Sequence, residues 1–211
     1  MKKRPAKRPS PPTISAPRLD TWHNGADVEI QCYARSLQKA AKMLVGSLGP
    51  KENATTAWNV GPVLLLYRQV VELHLKSLVS EGASFLPTPT DHITLYKTHS
   101  LRWLAQIVCQ IIKAVQWEGE FKCEGTASLA EFSAVIAELE TMDPVSCAVH
   151  SRQRGGPGEL PPPLRREKIL RLVPMLDALL DLLAATADGL AATSDLMEVG
   201  PSKAGIKPTI H

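Results

Sequence analysis

The sequence lacks the features that mark membrane-spanning, secreted and disulfide-linked proteins. It contains no run of about 18 apolar residues, the length that a membrane-spanning helix needs. No apolar segment follows its basic first residues, which argues against a secretory signal and predicts a cytoplasmic protein. Its four cysteines form no Cys-x-x-Cys pair, so reduced thiols are expected rather than disulfides.

The sequence also lacks the residue spacing of a metal site. His23, His92 and His150 have no cysteine or carboxylate partner at the spacing that metal ligands show. We therefore predict no metal centre, and no other cofactor.

Basic charge is concentrated at the start of the chain. Residues 1–18 hold six basic residues, five prolines and no acidic residue, although the whole chain has a net charge of only +3. A segment of this composition cannot bury enough apolar surface to fold. We expect a disordered basic tail at 1–19, which either aids solubility or holds RNA or an acidic partner, and a second disordered tail at 200–211.

Helical periodicity dominates the rest of the chain. Apolar residues recur at spacings of three, four and seven in five stretches, and no strand pattern competes with them. The predicted fold is all-α, an antiparallel bundle of about five main helices within residues 20–199.

The first two helices are predicted at 24–46 and 59–82. Pro62 is expected in the first turn of the second helix, where its missing N–H costs nothing. The segment 84–96 is rich in Pro, Thr and Asp and is predicted to be a loop. The buried face of the first helix is expected to consist of Ile30, Tyr33, Ala34, Leu37, Ala41 and Leu44.

Three more helices follow in the prediction. The third begins after Thr98, whose hydroxyl is expected to cap it. The fourth opens with the capping box Ser128-Leu-Ala-Glu131 and ends before Asp143-Pro144. A long loop is predicted at 145–163, and the last helix at about 165–196.

A charged pair lies within the apolar stripe of the second helix. Arg68 and Glu72 are four residues apart, so about 40° separates their side chains around the helix axis. Because unpaired charge is expensive to remove from water, the pair either neutralises itself in the core or at a dimer interface, or it faces a polar cleft. Lys76 lies one turn further on and either extends this polar stripe or reaches solvent.

The second helix carries apolar residues on nearly all sides. Leu66, Val70, Leu73 and Leu78 lie away from the Arg68 side, and the last helix is similarly rich in leucine. One bundle is not expected to bury so much apolar surface, so we predict a homodimer.

Two motifs in order resemble the first half of HEPN-domain proteins. They are Tyr67-Arg-Gln-Val-Val-Glu-Leu-His-Leu-Lys-Ser-Leu78 and, after a loop, Thr98-His-Ser-Leu101 with Leu104 one turn later. The similarity continues in Asp143-Pro-Val-Ser146 and in the last helix, and covers about residues 25–190. It implies an antiparallel helical bundle, often dimeric, of a bacterial toxin–antitoxin or defence type. Active HEPN members cut RNA without metal, using an arginine and a histidine spaced as R-x4-6-H.

The chain departs from that catalytic motif. Late in the chain, where the family carries it, no histidine follows Arg152 at the required spacing. Arg68 and His74 do match R-x5-H, but six residues of helix turn their side chains about 120° apart, so one subunit cannot aim both at the same phosphate. The candidate binding residues are Lys76, His74, His150 and Arg152.

Two functions stay open on the sequence. RNA cleavage through the 2′-hydroxyl needs a base near neutral pKa and a fixed cation, so a metal-independent endoribonuclease would use Arg68, Glu72 and His99 as catalytic residues. The missing late motif favours the other function, a non-catalytic HEPN-like module that binds RNA, a nucleotide or a protein partner. In that case His99 fastens two helices, and Arg68 with Glu72 is a structural pair.

Overall fold

The fold is all-α, as predicted. The computed structural model describes four segments of the chain, residues 23–48, 54–88, 91–142 and 166–198. These segments contain no β-strand, and their only ladder pairing is an isolated bridge between Cys123 and Thr126. None of their helices is both long enough and apolar enough to cross a membrane.

Six α-helices and one 3-10 turn make up the described segments. In chain order they are α1 (His23–Ser47), α2 (Ala54–Glu81), the 3-10 turn Ala83–Phe85, α3 (His92–Lys97), α4 (Leu101–Ala114), α5 (Leu129–Met142) and α6 (Arg166–Glu198). The predicted helical bundle is therefore confirmed, with one short helix more than expected.

Some predictions concern residues outside the described segments. They are the tails at 1–19 and 200–211, the loop at 145–163, and the candidate binding residues His150 and Arg152.

The centre of the bundle is α2. It packs against α1, α4 and α6, and α4 also packs against α5. The apolar residues of α2 that are at most 1% exposed lie within about 180° around the helix axis: Val60, Val63, Tyr67, Val70, Val71, Leu75, Leu78 and Val79. Of the four residues of α2 from which a dimer was predicted, Val70 and Leu78 are thus buried within the chain, whereas Leu66 and Leu73 are only partly buried.

The buried side of α1 differs from the predicted one. Ala34 and Ala41 are fully buried, whereas Tyr33 is 57% exposed and Leu44 is 37% exposed. The prediction that Tyr33 and Leu44 belong to the buried face is therefore wrong. The packed side follows the two small alanines, which allow close helix approach, rather than the largest apolar side chains.

The start of α2 also differs from its prediction. The helix begins at Ala54 rather than at Asn59. Pro62 consequently lies inside the helix and not in its first turn. Pro62 is exposed there, and its missing N–H interrupts the hydrogen-bond ladder of the helix by one bond.

The segment 84–96 is not all loop. Its last part forms α3, because the Asp91 carboxylate caps the helix by accepting a hydrogen bond from the Thr94 backbone N at 3.0 Å. Leu95 is buried, which anchors this short helix to the bundle. Aspartate is a preferred N-cap residue, so Asp91 could have indicated the start of a helix. The content of Pro, Thr and Asp in the segment led instead to the prediction of a loop.

The cap of α4 is Ser100, not Thr98. The Ser100 hydroxyl accepts a hydrogen bond from the Trp103 backbone N at 3.3 Å, whereas Thr98 ends α3. The predicted cap was wrong because the end of α3 occupies Thr98. At the start of α5 half of the predicted capping box is present, since the Ser128 hydroxyl accepts from the Glu131 backbone N at 3.2 Å, whereas the Glu131 carboxylate accepts from the Ala127 backbone N instead of that of Ser128.

Candidate functional site

Three of the residues predicted to form the site meet where α2 passes the connection between α3 and α4. Arg68 and Glu72 lie on one side of α2, and His99 lies in the connection. Lys76, from the next turn of α2, joins them. We call these four residues the Glu72 cluster.

Glu72 is the acceptor at the centre of this cluster. Its Oε2 accepts a hydrogen bond from Arg68 Nη1 at 3.0 Å, and its Oε1 accepts one from Lys76 Nζ at 2.9 Å. Oε1 also lies 2.9 Å from His99 Nδ1. Since Glu72 is only 2% exposed, these neighbours replace the water that a carboxylate normally requires.

The cluster keeps Glu72 ionised. Burial opposes ionisation, but hydrogen bonds from Lys76 and His99, together with their charges, outweigh burial and hold the pKa of Glu72 below its ordinary value. An ionised carboxylate can only accept, so the proton of the short contact lies on His99 Nδ1. In the neutral imidazole this leaves Nε2 as the acceptor.

Both cations of the cluster also bind backbone carbonyls, one in the last turn of α3 and one in the α3–α4 connection. Arg68 Nη2 donates to the His99 carbonyl at 2.7 Å, and Lys76 Nζ donates to the Tyr96 carbonyl at 3.3 Å. Their side chains are only 9% and 7% exposed. The two cations therefore fasten the connection to α2 and face the protein interior rather than solvent.

The end of α3 and the connection that follows it carry several exposed side chains. The His99 side chain is 69% exposed although its Nδ1 lies against buried Glu72. Tyr96 is 44% exposed, and Lys97 is exposed. We call Tyr96, Lys97, Thr98 and His99 the 96–99 segment. Sequence reasoning singled out His99 but missed Tyr96, because it read this region as loop.

His74 lies on a different side of α2 from the Glu72 cluster. It is 5% exposed and lies within electrostatic range of Arg35 on α1 and of Asp181 and Asp188 on α6. The two side chains of the R-x5-H match, Arg68 and His74, thus belong to separate surroundings. His74, one of the predicted binding residues, therefore does not lie with the Glu72 cluster.

The buried position of His74 predicts a pH-dependent stability. Burial, aided by Arg35, lowers the pKa of His74 despite the two aspartates. The unfolded chain then binds a proton at His74 more readily than the folded chain, so stability is full above the ordinary pKa of 6.5 and falls as the pH drops below it. Urea unfolding from roughly pH 7 to pH 5 should show this loss, and His74→Leu should reduce it. Equal pH slopes for both proteins would contradict the prediction.

A second polar centre, not foreseen from the sequence, lies where α1 and α2 meet α6. Asp177 Oδ1 accepts hydrogen bonds from Tyr67 Oη at 3.1 Å and from Gln38 Nε2 at 3.2 Å, and it lies 3.3 Å from Lys42 Nζ. Burial and the neighbouring Asp177 raise the pKa of Tyr67. Asp177 therefore ties three helices together through groups that lie far apart in the sequence.

The described segments offer no evident metal site. Within them, no group of three or more histidine, cysteine, aspartate or glutamate side chains lies close enough together to hold a metal ion.

No protein-family model, curated protein or solved structure matches this chain. The HEPN resemblance thus rests on the sequence motifs alone, and the site has to be interpreted from its own geometry.

Proposed function

We propose that this chain is a HEPN-like helical module that binds single-stranded RNA at its 96–99 segment without cutting it. The observation that carries the proposal is the arrangement of the Glu72 cluster. Its cations hold the backbone carbonyls of Tyr96 and His99, and this gives the exposed side chains of the 96–99 segment a fixed support.

The same contacts argue against catalysis by Arg68. A cation that stabilises charge on a phosphate must reach it, and here both terminal nitrogens of Arg68 donate to groups of the protein itself. With its side chain 9% exposed, Arg68 is placed to position the connection rather than to meet a substrate.

The exposed side chains of the 96–99 segment suit RNA. Tyr96 provides an aromatic ring, Lys97 an ammonium group and His99 an imidazole, and all three are exposed. Unpaired bases stack on aromatic rings, and cations pair with the phosphates between them. A duplex would not offer its bases for stacking, so single strands are the expected ligand.

The test is a binding assay and a cleavage assay on one sample. Fluorescence anisotropy with a labelled single strand of about 20 nucleotides, in EDTA, is expected to show saturable binding that a duplex competes for poorly. Gel analysis of the same mixture is expected to show intact RNA. Absence of binding at tens of micromolar protein would refute the proposal, and cleavage would refute its non-catalytic part.

One observation favours a second function, a metal-independent endoribonuclease. The Glu72 carboxylate orients the His99 ring through Nδ1, and the ring is exposed, which is how a general base is commonly held. Cleavage in EDTA that leaves cyclic or 3′-phosphate ends, and that is lost in a folded His99→Ala variant, would establish this function.

The remaining parts of the proposal rest on the resemblance and on the composition and apolar pattern of the sequence. They are a homodimer, a cytoplasmic location and a role in a bacterial toxin–antitoxin or defence system. Light scattering at tens of micromolar decides the first of these, because a mass of two chains would support the dimer and a mass of one chain would contradict it.

A further inference from the structure

Three cations project from one side of α1. Arg35, Lys39 and Lys42 follow one another at spacings of four and three residues, which places them within about 60° around the helix axis. All three are exposed. Together with Gln38 and Met43 they line a shallow hollow of about 420 Å³.

The positive charge of this hollow is only partly compensated. Asp177 on α6 pairs with Lys42 and accepts from Gln38, and Asp181 and Asp188 lie on the same helix. Arg35 and Lys39, by contrast, form no ion pair within the described segments.

The rest of α1 adds little negative charge. Among the side chains of α1 that the structure describes, Glu29 is the only acidic one, and it lies more than a turn before Arg35. The hollow therefore keeps an excess of positive charge that faces solvent.

We propose that this hollow binds the backbone phosphate groups of single-stranded RNA. The guanidinium of Arg35 offers a planar fork of donors that matches phosphate oxygens, and Lys39 adds a point charge one turn away. The cations span about 10 Å along the helix axis, enough for more than one phosphate.

This inference deepens the proposed RNA binding and rests on it, because it assigns further phosphate contacts, beyond that of Lys97, to α1. The hollow and the 96–99 segment belong to different elements around α2. They can therefore be altered separately.

The test removes the two cations that lack ion pairs. Arg35→Gln/Lys39→Gln is expected to weaken single-stranded RNA binding on the order of tenfold at about 0.1 M salt. The slope of log affinity against log salt concentration should fall in magnitude by about 1.4, which corresponds to two lost phosphate contacts. The matched control Lys113→Gln/Lys122→Gln removes the same charge from exposed positions elsewhere and should leave both quantities close to wild type.

A second variant guards against loss of folding. Because Arg35 lies near buried His74, the thermal melt of the double variant is compared with that of wild type. The second variant, Lys39→Glu, changes only an exposed side chain. Lys39→Glu is expected to weaken RNA binding while melting like wild type. Wild-type affinity and salt slope in both variants would overturn the α1 site and leave the proposed function standing.

Inorganic tripolyphosphate separates the α1 site from RNA binding as such. If wild type binds no RNA but binds tripolyphosphate through Arg35 and Lys39, the proposed function fails and the phosphate site stands with a free polyphosphate as its ligand. If wild type binds neither, both fail.

Discussion

Glu72→Ala is expected to lower the free energy of unfolding by about 3 to 5 kcal/mol, a large part of the stability of a typical domain. The change removes the carboxylate that faces Arg68 and Lys76, which are 9% and 7% exposed. It therefore leaves two poorly hydrated cations close together without their shared counter-charge. Urea unfolding of wild type and variant at neutral pH measures the loss.

A triple variant provides the control. Arg68→Met/Glu72→Leu/Lys76→Met removes all three charges while keeping the volume of the side chains similar, so it should be less destabilised than Glu72→Ala. Some loss is still expected, since the Tyr96 and His99 carbonyls lose their donors. If Glu72→Ala melts like wild type, the cluster is solvated and does not hold the connection.

Tyr96→Ala is expected to weaken single-stranded RNA binding by roughly 5-fold to 100-fold, the range that loss of one stacked base implies. The ring is 44% exposed, and the Tyr96 carbonyl that Lys76 binds belongs to the backbone. The substitution thus removes the stacking surface and leaves the fastening contact in place. Anisotropy titrations at fixed salt measure the change.

Ile93 offers a matched control for Tyr96. It lies one turn earlier on α3 and is 63% exposed, so Ile93→Ala also removes exposed apolar surface. It provides no aromatic ring and should leave the RNA affinity close to wild type. Equal losses in the two variants would mean that α3 contributes general apolar surface rather than stacking.

The main helices could be predicted because apolar periodicity is local. The Arg68–Glu72 pair was found for the same reason, since two charges at a spacing of four must be neighbours on a helix. Whether the pair is buried could not be known from α2 alone. That depends on the packing of α1, α4 and α6 around it.

The contacts of Arg68 and Lys76 with backbone carbonyls could not be predicted for a further reason. They require the chain from Tyr96 to His99 to follow a particular path, and α3 fixes that path. Every residue has a backbone carbonyl, so the sequence does not indicate which carbonyl accepts a hydrogen bond from a side chain. The prediction also placed the N-cap of α4 at Thr98 instead of Ser100. The residues between α3 and α4 were therefore not recognised as a connection.

The buried side of α1 illustrates a limit of pattern reasoning. Counting apolar residues predicts a buried face centred on the large side chains. In the structure the most deeply buried residues of α1 are instead Ala34 and Ala41. Close approach between helices selects small residues, and a hydrophobicity pattern gives those little weight.

Hydrogen exchange of the backbone amides in wild type and Glu72→Ala tests most directly whether the Glu72 cluster fastens the α3–α4 connection. If it does, exchange in the variant should accelerate most strongly from α3 through the first turn of α4, while the amides of α5 lose no more protection than the lower free energy of unfolding accounts for. Acceleration spread evenly over all helices, or no change between Tyr96 and Leu104, would contradict that role for the cluster.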